Sequence, residues 1–313
     1  MDRPAASEQQ RLSVCICTYR RPERLLELLQ SLVAQSRLPD QVVVVDNDRA
    51  AAGKAACEAE QWPFPLVTEF EPEQNISLAR NRAVHAADGD WLALIDDDEI
   101  ASPDWLAGLL AAAREHAADG VLGPVLPLVP EHAPGWIRAG DFYSRRRFTT
   151  GTTVPLNELR TSNLLVRRSA LLAEPGGPFD PAFGLSGGED GDLLTRVAQR
   201  GARFVWCDEA TVSEPVECAR LNLGWLLMRS LRGGQDFAMH FLAGRYGTAG
   251  PMSRLLFALK ALLALMLSSL LALLMLPAGR HRAAYWLRKA YAQLGKLLAF
   301  SRFRYREYAR VPT

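Results

Sequence analysis

The sequence predicts an α/β fold built on a mostly parallel central sheet. Three observations carry that expectation. Short apolar or β-branched runs alternate with longer stretches of helical periodicity, acidic clusters fall where strands end, and no internal repeat interrupts the alternation. With 313 residues, 49% hydrophobic and 23% charged, the chain can bury a sizeable core, and this balance excludes a disordered or fibrous protein.

Leu12 to Thr18 reads as the first strand. Pro22 then occupies the first turn of a helix, where its missing N–H costs nothing, and Leu25, Leu28, Leu29, Leu32 and Val33 recur at helical spacing. Val42 to Val45 is a continuous β-branched run, as a strand covered on both faces requires, and Asp46 ends it. Ile76 to Ala87 reads as a helix and Trp91 to Ile95 as a strand. Ser102-Pro103 reads as the cap and first residue of a helix running to about His116. Asp96, Asp97 and Asp98 therefore fall in the turn after a strand, where doubly wound sheets bind their ligands.

Beyond Gly120 the alternation loosens. Pro124 to Pro155, rich in Pro, Gly and aromatics and holding the basic run Arg145 to Arg147, reads as an irregular segment facing substrate. A strand (Ser162 to Val166), a loop (Glu174 to Gly188) and a helix (Asp190 to Gln199) follow, and Leu221 to Phe241 reads as helical.

The net charge of +1 hides an asymmetry: residues 245–313 hold 12 Lys and Arg against one acid, Glu307, whereas the preceding 244 hold 24 basic and 34 acidic groups. Leu255 to Leu276 carries one charge, Lys260, in 22 residues, long enough at about 1.5 Å per residue to cross a hydrocarbon core of about 30 Å. Basic and aromatic residues mingle from Arg280 to Arg310, which suits the headgroup zone of an anionic leaflet. Two packed helices of a soluble domain or dimer are the weaker reading of this region. The expected organisation is a flexible start (1–10), a catalytic unit (11–244) and a membrane-associated helical region (245–313). Five cysteines without a CxxC spacing suit a reducing compartment, and the first ten residues carry no basic-then-apolar signal pattern. The basic flanks of the apolar stretch and the unsignalled start place the catalytic part on the cytoplasmic face of the membrane.

Two acidic clusters are candidates for chemistry. Asp96-Asp97-Asp98-Glu99 packs carboxylates that repel unless a cation or hydrogen-bond donors neutralise them, and such oxygen ligands prefer Mg²⁺ or Mn²⁺. A solvated acidic turn is the plain alternative. Gly187-Gly188-Glu189-Asp190-Gly191-Asp192 opens a helix, where a carboxylate either caps the helix or serves as a general base. Thr18-Tyr19 and Asp46-Asn47, at neighbouring strand ends, offer a hydroxyl, an aromatic ring and an acid to a base and ribose, or serve only as turn residues. The five histidines lack metal-ligand spacing, and no Walker A or GxGxxG sequence occurs, which argues against a kinase or a dehydrogenase. No nucleic-acid partner is expected.

In order and spacing, Ser13-Val14-Cys15-Ile16-Cys17-Thr18-Tyr19-Arg20-Arg21-Pro22, Val44-Val45-Asp46-Asn47, Ser77-Leu78-Ala79-Arg80-Asn81, Leu94-Ile95-Asp96-Asp97-Asp98-Glu99, Ser162-Asn163-Leu164-Leu165-Val166-Arg167-Arg168, Phe179-Asp180 and Gly188-Glu189-Asp190-Gly191-Asp192-Leu193 resemble the inverting glycosyltransferases of family 2, with a layout similar to succinoglycan-type transferases. The resemblance spans about residues 11 to 235 and implies the GT-A fold. It implies further that Thr18, Tyr19 and Asp46 hold the nucleoside, that Arg80 supports the donor site, and that Asp97 lies near the ribose. Asp96 and Asp98 would be the metal-binding DxD pair, Asp190 the base, and Glu189 an acceptor contact or a support behind it. Glu214 stands where relatives often carry a metal-binding His, and Asn47-Asp48 departs from the commoner acidic-Gly-Ser ending. The implied activity is metal-dependent transfer from a nucleotide diphosphate-sugar to a lipid-linked saccharide in surface polysaccharide assembly. Transfer to polyprenyl phosphate is the enzymatic alternative, and a non-catalytic nucleotide-binding membrane scaffold the alternative of another class. The missing QxxRW element argues against a processive polymerase.

Overall fold

Runs that are apolar on every residue become strands covered on both faces, and runs with helical spacing become the covering layers. The computed structural model describes residues 10–174, 177–247 and 249–306. All but Gln10 of the expected flexible start, and Glu307 and Arg310 of the basic C-terminal run, lie outside the described residues. The strands are β1 (Leu12–Thr18), β2 (Gln41–Asp46), β3 (Leu66–Phe70), β4 (Trp91–Leu94), β5 (Ile100–Ala101), β6 (Gly120–Leu122), β7 (Val125–Leu128), β8 (Leu164–Arg167), β9 (Phe204–Trp206) and β10 (Val212–Pro215). The helices are α1 (Pro22–Val33), α2 (Ala52–Glu58), α3 (Ile76–Ala86), α4 (Trp105–Glu115), α5 (Gly135–Arg138), α6 (Arg168–Leu172), α7 (Glu189–Gln199), α8 (Leu223–Leu242), α9 (Pro251–Leu274) and α10 (Arg280–Leu298).

A seven-stranded sheet runs in the order β3-β2-β1-β4-β8-β6-β9, and a three-stranded sheet in the order β5-β10-β7. β1, β2, β3 and β4 are parallel, whereas β8 is antiparallel to both β4 and β6. The alternation within β1 and β2 explains the two core layers. Val14, Ile16, Val42 and Val44 pack with Leu25, Leu28 and Leu29 of α1 and with Trp105 and Leu106 of α4. Cys15, Val43 and Val45 pack on the opposite face with Ala83 and Val84 of α3 and with Leu193 and Val197 of α7, and Cys17 lies against that same layer.

Three expectations need correction. Ser102-Pro103 does not begin a helix: α4 starts at Trp105, because Ile100–Ala101 first pairs with β10 as an edge strand and Ser102 then turns the chain. The acidic triplet thus lies between two strands, β4 and β5, rather than just before a helix. Pro124 to Pro155 is not wholly irregular, since Val125–Leu128 pairs in parallel with β10 and Gly135–Arg138 forms a helical turn. The strand expected from Ser162 begins at Leu164, because Asn163 takes a left-handed φ of 54° and turns its side chain inward. There Asn163 donates to the carbonyls of Pro124 and Ala210 and accepts from Trp105 Nε1 at 2.7 Å, tying the two sheets together. The Glu174 to Gly188 loop is interrupted only by a 3-10 turn at Pro181–Phe183, with residues 175–176 outside the described ones.

The last three helices form a layer of their own. α10 packs along both α8 and α9, and α8 and α10 meet backbone to backbone. A Cβ at Gly234 would lie 2.0 Å from the Ala292 carbonyl oxygen, and one at Gly295 would lie 2.0 Å from that of Leu231. Neither carbonyl can move without distorting its helix. Gly234→Ala is therefore expected to cost about 1–3 kcal/mol of stability through overpacking. Gly233→Ala, whose Cβ meets nothing within 4 Å, should be neutral or mildly stabilising. Paired thermal or urea midpoints check this; equal midpoints for the two variants would contradict the packing.

Candidate active site

Parallel strands deliver their C-terminal ends to one edge of the sheet. Thr18 pairs with Asp46, and Leu94 pairs with Cys15, so the Asp96–Asp98 turn rises beside Thr18. The crowded carboxylates are neutralised mainly by hydroxyl and guanidinium donors. Asp97 accepts from Thr18 Oγ1 at 2.8 Å, from the Tyr19 backbone N–H at 3.4 Å and from Arg21 at 3.3 Å. Asp98 accepts from Arg21 at 2.8 Å and from Arg220 at 3.1 Å. Arg220 also binds Glu214 at 2.7 Å, and Arg145 binds the other oxygen of Glu214 at 3.3 Å. Asp46 is buried, and its two oxygens accept from the backbone N–H groups of Asp48 (2.9 Å) and Lys54 (3.0 Å).

The second acidic cluster reaches the same place from α7. Gly187 and Gly188 turn into that helix with φ of 84° and 91°, where a side chain would be strained, and a Cβ at Gly187 would lie 2.1 Å from Arg232 Nη2. His240 Nε2 hydrogen-bonds the Gly188 carbonyl at 2.9 Å, and His240 Nδ1 lies 3.2 Å from the Tyr246 hydroxyl, so α8 braces the turn. Glu189 is left almost fully buried. Arg80, from α3, binds Glu189 with one nitrogen and Asp96 with the other at 3.3 Å, bridging the two clusters. Asp190 accepts from the Gly191 N–H at 2.8 Å.

Arg80, Asp96, Glu189 and Asp190 line one cavity of about 380 Å³. Its further wall brings Arg145, Arg160, Arg232, Asp236 and His240. Burial controls the acids here. Glu189 is pushed up to about 7 by desolvation, held back by Arg80 and raised again by Asp190. Asp97 is pushed up to about 7 by burial against the pull of Arg21, and Asp236 to about 6 by burial against the pull of Arg232. Asp96 is also raised, first by burial and then, against the pull of Arg80, by the charges of Asp98 and Glu214.

Of the residues singled out in the sequence, Arg80, Asp96, Glu189 and Asp190 meet at the cavity. Thr18, the Tyr19 backbone, Asp97 and Asp98 form the adjoining strand-end network, with Asp46 beside Thr18, while Glu214 joins through Arg220. No group of three or more His, Cys, Asp or Glu spaced for a metal occurs among the described residues. The chemistry of Asp96 and Asp98 nonetheless fits a hard divalent ion. They offer only oxygen donors, and the charge of Asp98, which adds to desolvation in raising Asp96, is what such an ion relieves. Glu214 is engaged by two arginines instead. Sequence reasoning gave no role to Arg21, Arg220, Arg232, Asp236 or His240. Arg21 sits inside the Ser13–Pro22 run; the others carry no spacing signal, because only the tertiary fold brings α8 and the turn before it to the strand ends.

The family model for Glycosyl transferase family 2 matches residues 13–164. Succinoglycan biosynthesis protein ExoM of Rhizobium meliloti is 40% identical over 240 residues, covering 73% of this chain and 74% of that one. Galactofuranosyltransferase GlfT1 of Mycobacterium tuberculosis is 31% identical over 216 residues, covering 64% and 68%. Among solved structures, the mannosyltransferase PcManGT from Pyrobaculum calidifontis, in complex with GDP-Man and Mn²⁺, superposes with a TM-score of 0.63 at 20% identity, covering 94% of this chain and 88% of that one. The fold is thus the GT-A-like α/β fold.

Arg80→Gln would leave Glu189 buried without its cationic partner. Because the folded state holds this carboxyl near 7 rather than at its ordinary 4.5, its contribution to stability is full below the ordinary value and lost as pH rises through about 7. Removing Arg80 should enlarge that loss: about 3–5 kcal/mol of destabilisation at pH 8, where Glu189 is charged beside Arg80 in the native protein and in the variant must stand alone or take up a proton, and markedly less at pH 5. Urea midpoints of the two proteins at both pH values check this; an equal gap at pH 5 and pH 8 would contradict the bridge.

Proposed function

The chain belongs to the family 2 glycosyltransferases, and on that premise we propose that it transfers a sugar, with inversion, from a nucleotide diphosphate-sugar to a lipid-linked saccharide at the cytoplasmic face of a membrane. The observation that supports it best is the single cavity into which Arg80 draws Asp96 and Glu189, with Asp190 on its wall. Thr18, Tyr19 and Asp46 cradle the nucleoside, and Asp97, anchored by Thr18 and Arg21, fixes the strand-end turn near the ribose. Asp190 takes the proton of the acceptor hydroxyl while that oxygen attacks the anomeric carbon from the face opposite the diphosphate, so the linkage inverts in one displacement. Glu189 Oε2 is buried and has no hydrogen-bond partner, which suits it to receive an acceptor hydroxyl. Asp96 and Asp98 would hold Mg²⁺ or Mn²⁺; when bound, the ion shields the charge of the departing diphosphate. Arg21 and Arg220 hold Asp98 in its present orientation and would share it with the ion.

Membrane attachment is part of the reading. α9 has a mean hydropathy of 2.3 over its most apolar 18 residues and is mostly exposed. It turns Ala261, Ser268 and Ala272 inward, while Leu259, Leu263, Leu267, Leu270 and Leu274 face outward along one stripe. α10, packed beside it, carries Arg288 and Lys289 at mid-length, so the pair suits a helix lying along one leaflet better than one crossing it. The basic excess after residue 245 matches an anionic lipid surface.

Asp190→Asn should lower transfer at least about a thousandfold with nucleotide binding nearly unchanged, measured by product formation and by titration with UDP, GDP and dTDP. Asp98→Asn should instead weaken the Mn²⁺-dependent part of nucleotide binding. Equal turnover by Asp190→Asn and wild type would remove the base, and failure of wild type with every nucleotide-sugar would favour a scaffold. Replacing both Leu263 and Leu270 with Glu should release the protein from phosphatidylglycerol vesicles in a flotation assay; unchanged flotation would contradict attachment through α9.

A further inference from the structure

Arg160 stands apart among the arginines of the cavity. Arg80 pairs with Glu189 and Asp96, Arg145 with Glu214, and Arg232 lies 3.6 Å from Asp236. The acid nearest Arg160 is Glu158, its carboxylate 4.0 Å away, and its Nη1 donates to the Glu158 carbonyl at 3.2 Å. Arg160 Nε and Nη2 are buried and have no hydrogen-bond partner. Those two nitrogens form the side edge of the guanidinium, whose parallel N–H groups match two oxygens of a phosphate. The side chain is 12% exposed, its Cζ lies 5.5 Å from the centroid of the Trp206 ring, and it lines the cavity that Asp190 lines. Burial and the nearby Arg145 charge ease its proton affinity down to about 10, which still leaves it cationic at neutral pH. A buried cation with two idle donors costs stability unless an anion arrives to use them.

We propose that Arg160 is a phosphate-recognition residue of the transfer cavity, its Nε–Nη2 edge binding a phosphate group of a substrate. The inference rests on the proposed transfer function for its meaning, though not for its test. The shared chemistry is a phosphate or diphosphate, supplied either by the sugar donor or by the lipid-linked acceptor.

The test uses the full-length protein and inorganic pyrophosphate as probe, followed by calorimetry in metal-free buffer, with Arg160→Gln, Arg160→Lys and thermal midpoints alongside. Arg160→Gln should weaken pyrophosphate binding roughly tenfold or more, and Arg160→Lys, which keeps the charge and loses the fork, should recover part of it. In steady-state transfer, a raised KM for the donor with weaker nucleoside diphosphate binding assigns the phosphate to the donor. A raised KM for the acceptor with nucleoside diphosphate binding unchanged assigns it to the acceptor. Pyrophosphate affinity equal to wild type in Arg160→Gln overturns the proposal, as does wild type that binds no pyrophosphate; a lowered thermal midpoint with unchanged affinity gives Arg160 a structural role only. If wild type transfers no sugar yet binds pyrophosphate through Arg160, the transfer function fails and the phosphate site stands.

Discussion

Arg80 is the residue on which the rest of the site depends. Two acidic clusters, one at the end of β4 and one at the start of α7, each carry a carboxylate whose proton is held more tightly than usual: Glu189 is buried, and Asp96, partly exposed, feels the charges of Asp98 and Glu214 besides its desolvation. The Arg80 guanidinium joins them, binding Asp96 with one nitrogen and Glu189 with another, and its charge favours the ionised form of both. A guanidinium suits this better than an ammonium, because its separate nitrogens satisfy two acids at once. The side chain costs the fold little, since its helix is already anchored: Asn75 caps α3 with its side chain, and Ala79, Ala83 and Val84 pack it beneath the sheet.

The same arrangement recurs around the bridge. Arg21 joins Asp97 to Asp98, and Arg220 joins Asp98 to Glu214, so a chain of alternating charges runs from the start of α1 to β10. The network keeps acids poised at a strand end where repulsion would otherwise splay the loop. It also distributes the site over both sheets, because Glu214 belongs to β10 while Asp98 lies between β4 and β5. A change in any one of these arginines therefore reaches beyond the acid it touches.

Legibility in the sequence followed the physics of each element. β1, β2, β4, α1 and α3 were readable to within a residue or so, because continuous apolar runs and leucine spacing are local signals of local structure. Asp96, Glu189 and Asp190 stood out as clustered acids beside glycines and strand ends. β10 and the inward turn of Asn163 were not readable, since each exists only through partners far along the chain: Val125 and Ala101 for the strand, Pro124, Ala210 and Trp105 for the asparagine. His240 and Arg232 sit on α8 among apolar residues, and nothing in their spacing announces that the acidic turn leans on them. The start of α4 was misplaced because Ser102-Pro103 has the composition of a helix start, while pairing with β10 delays the helix by two residues.

The glycine contact between α8 and α10 has an architectural corollary. One flank of α8 furnishes Arg232, Asp236 and His240 to the cavity, and another rests on the main chain of α10 through Gly234. The C-terminal segment is thus the buttress of that cavity, and shortening the polypeptide after α8 to obtain a more tractable fragment would leave its wall standing without a brace.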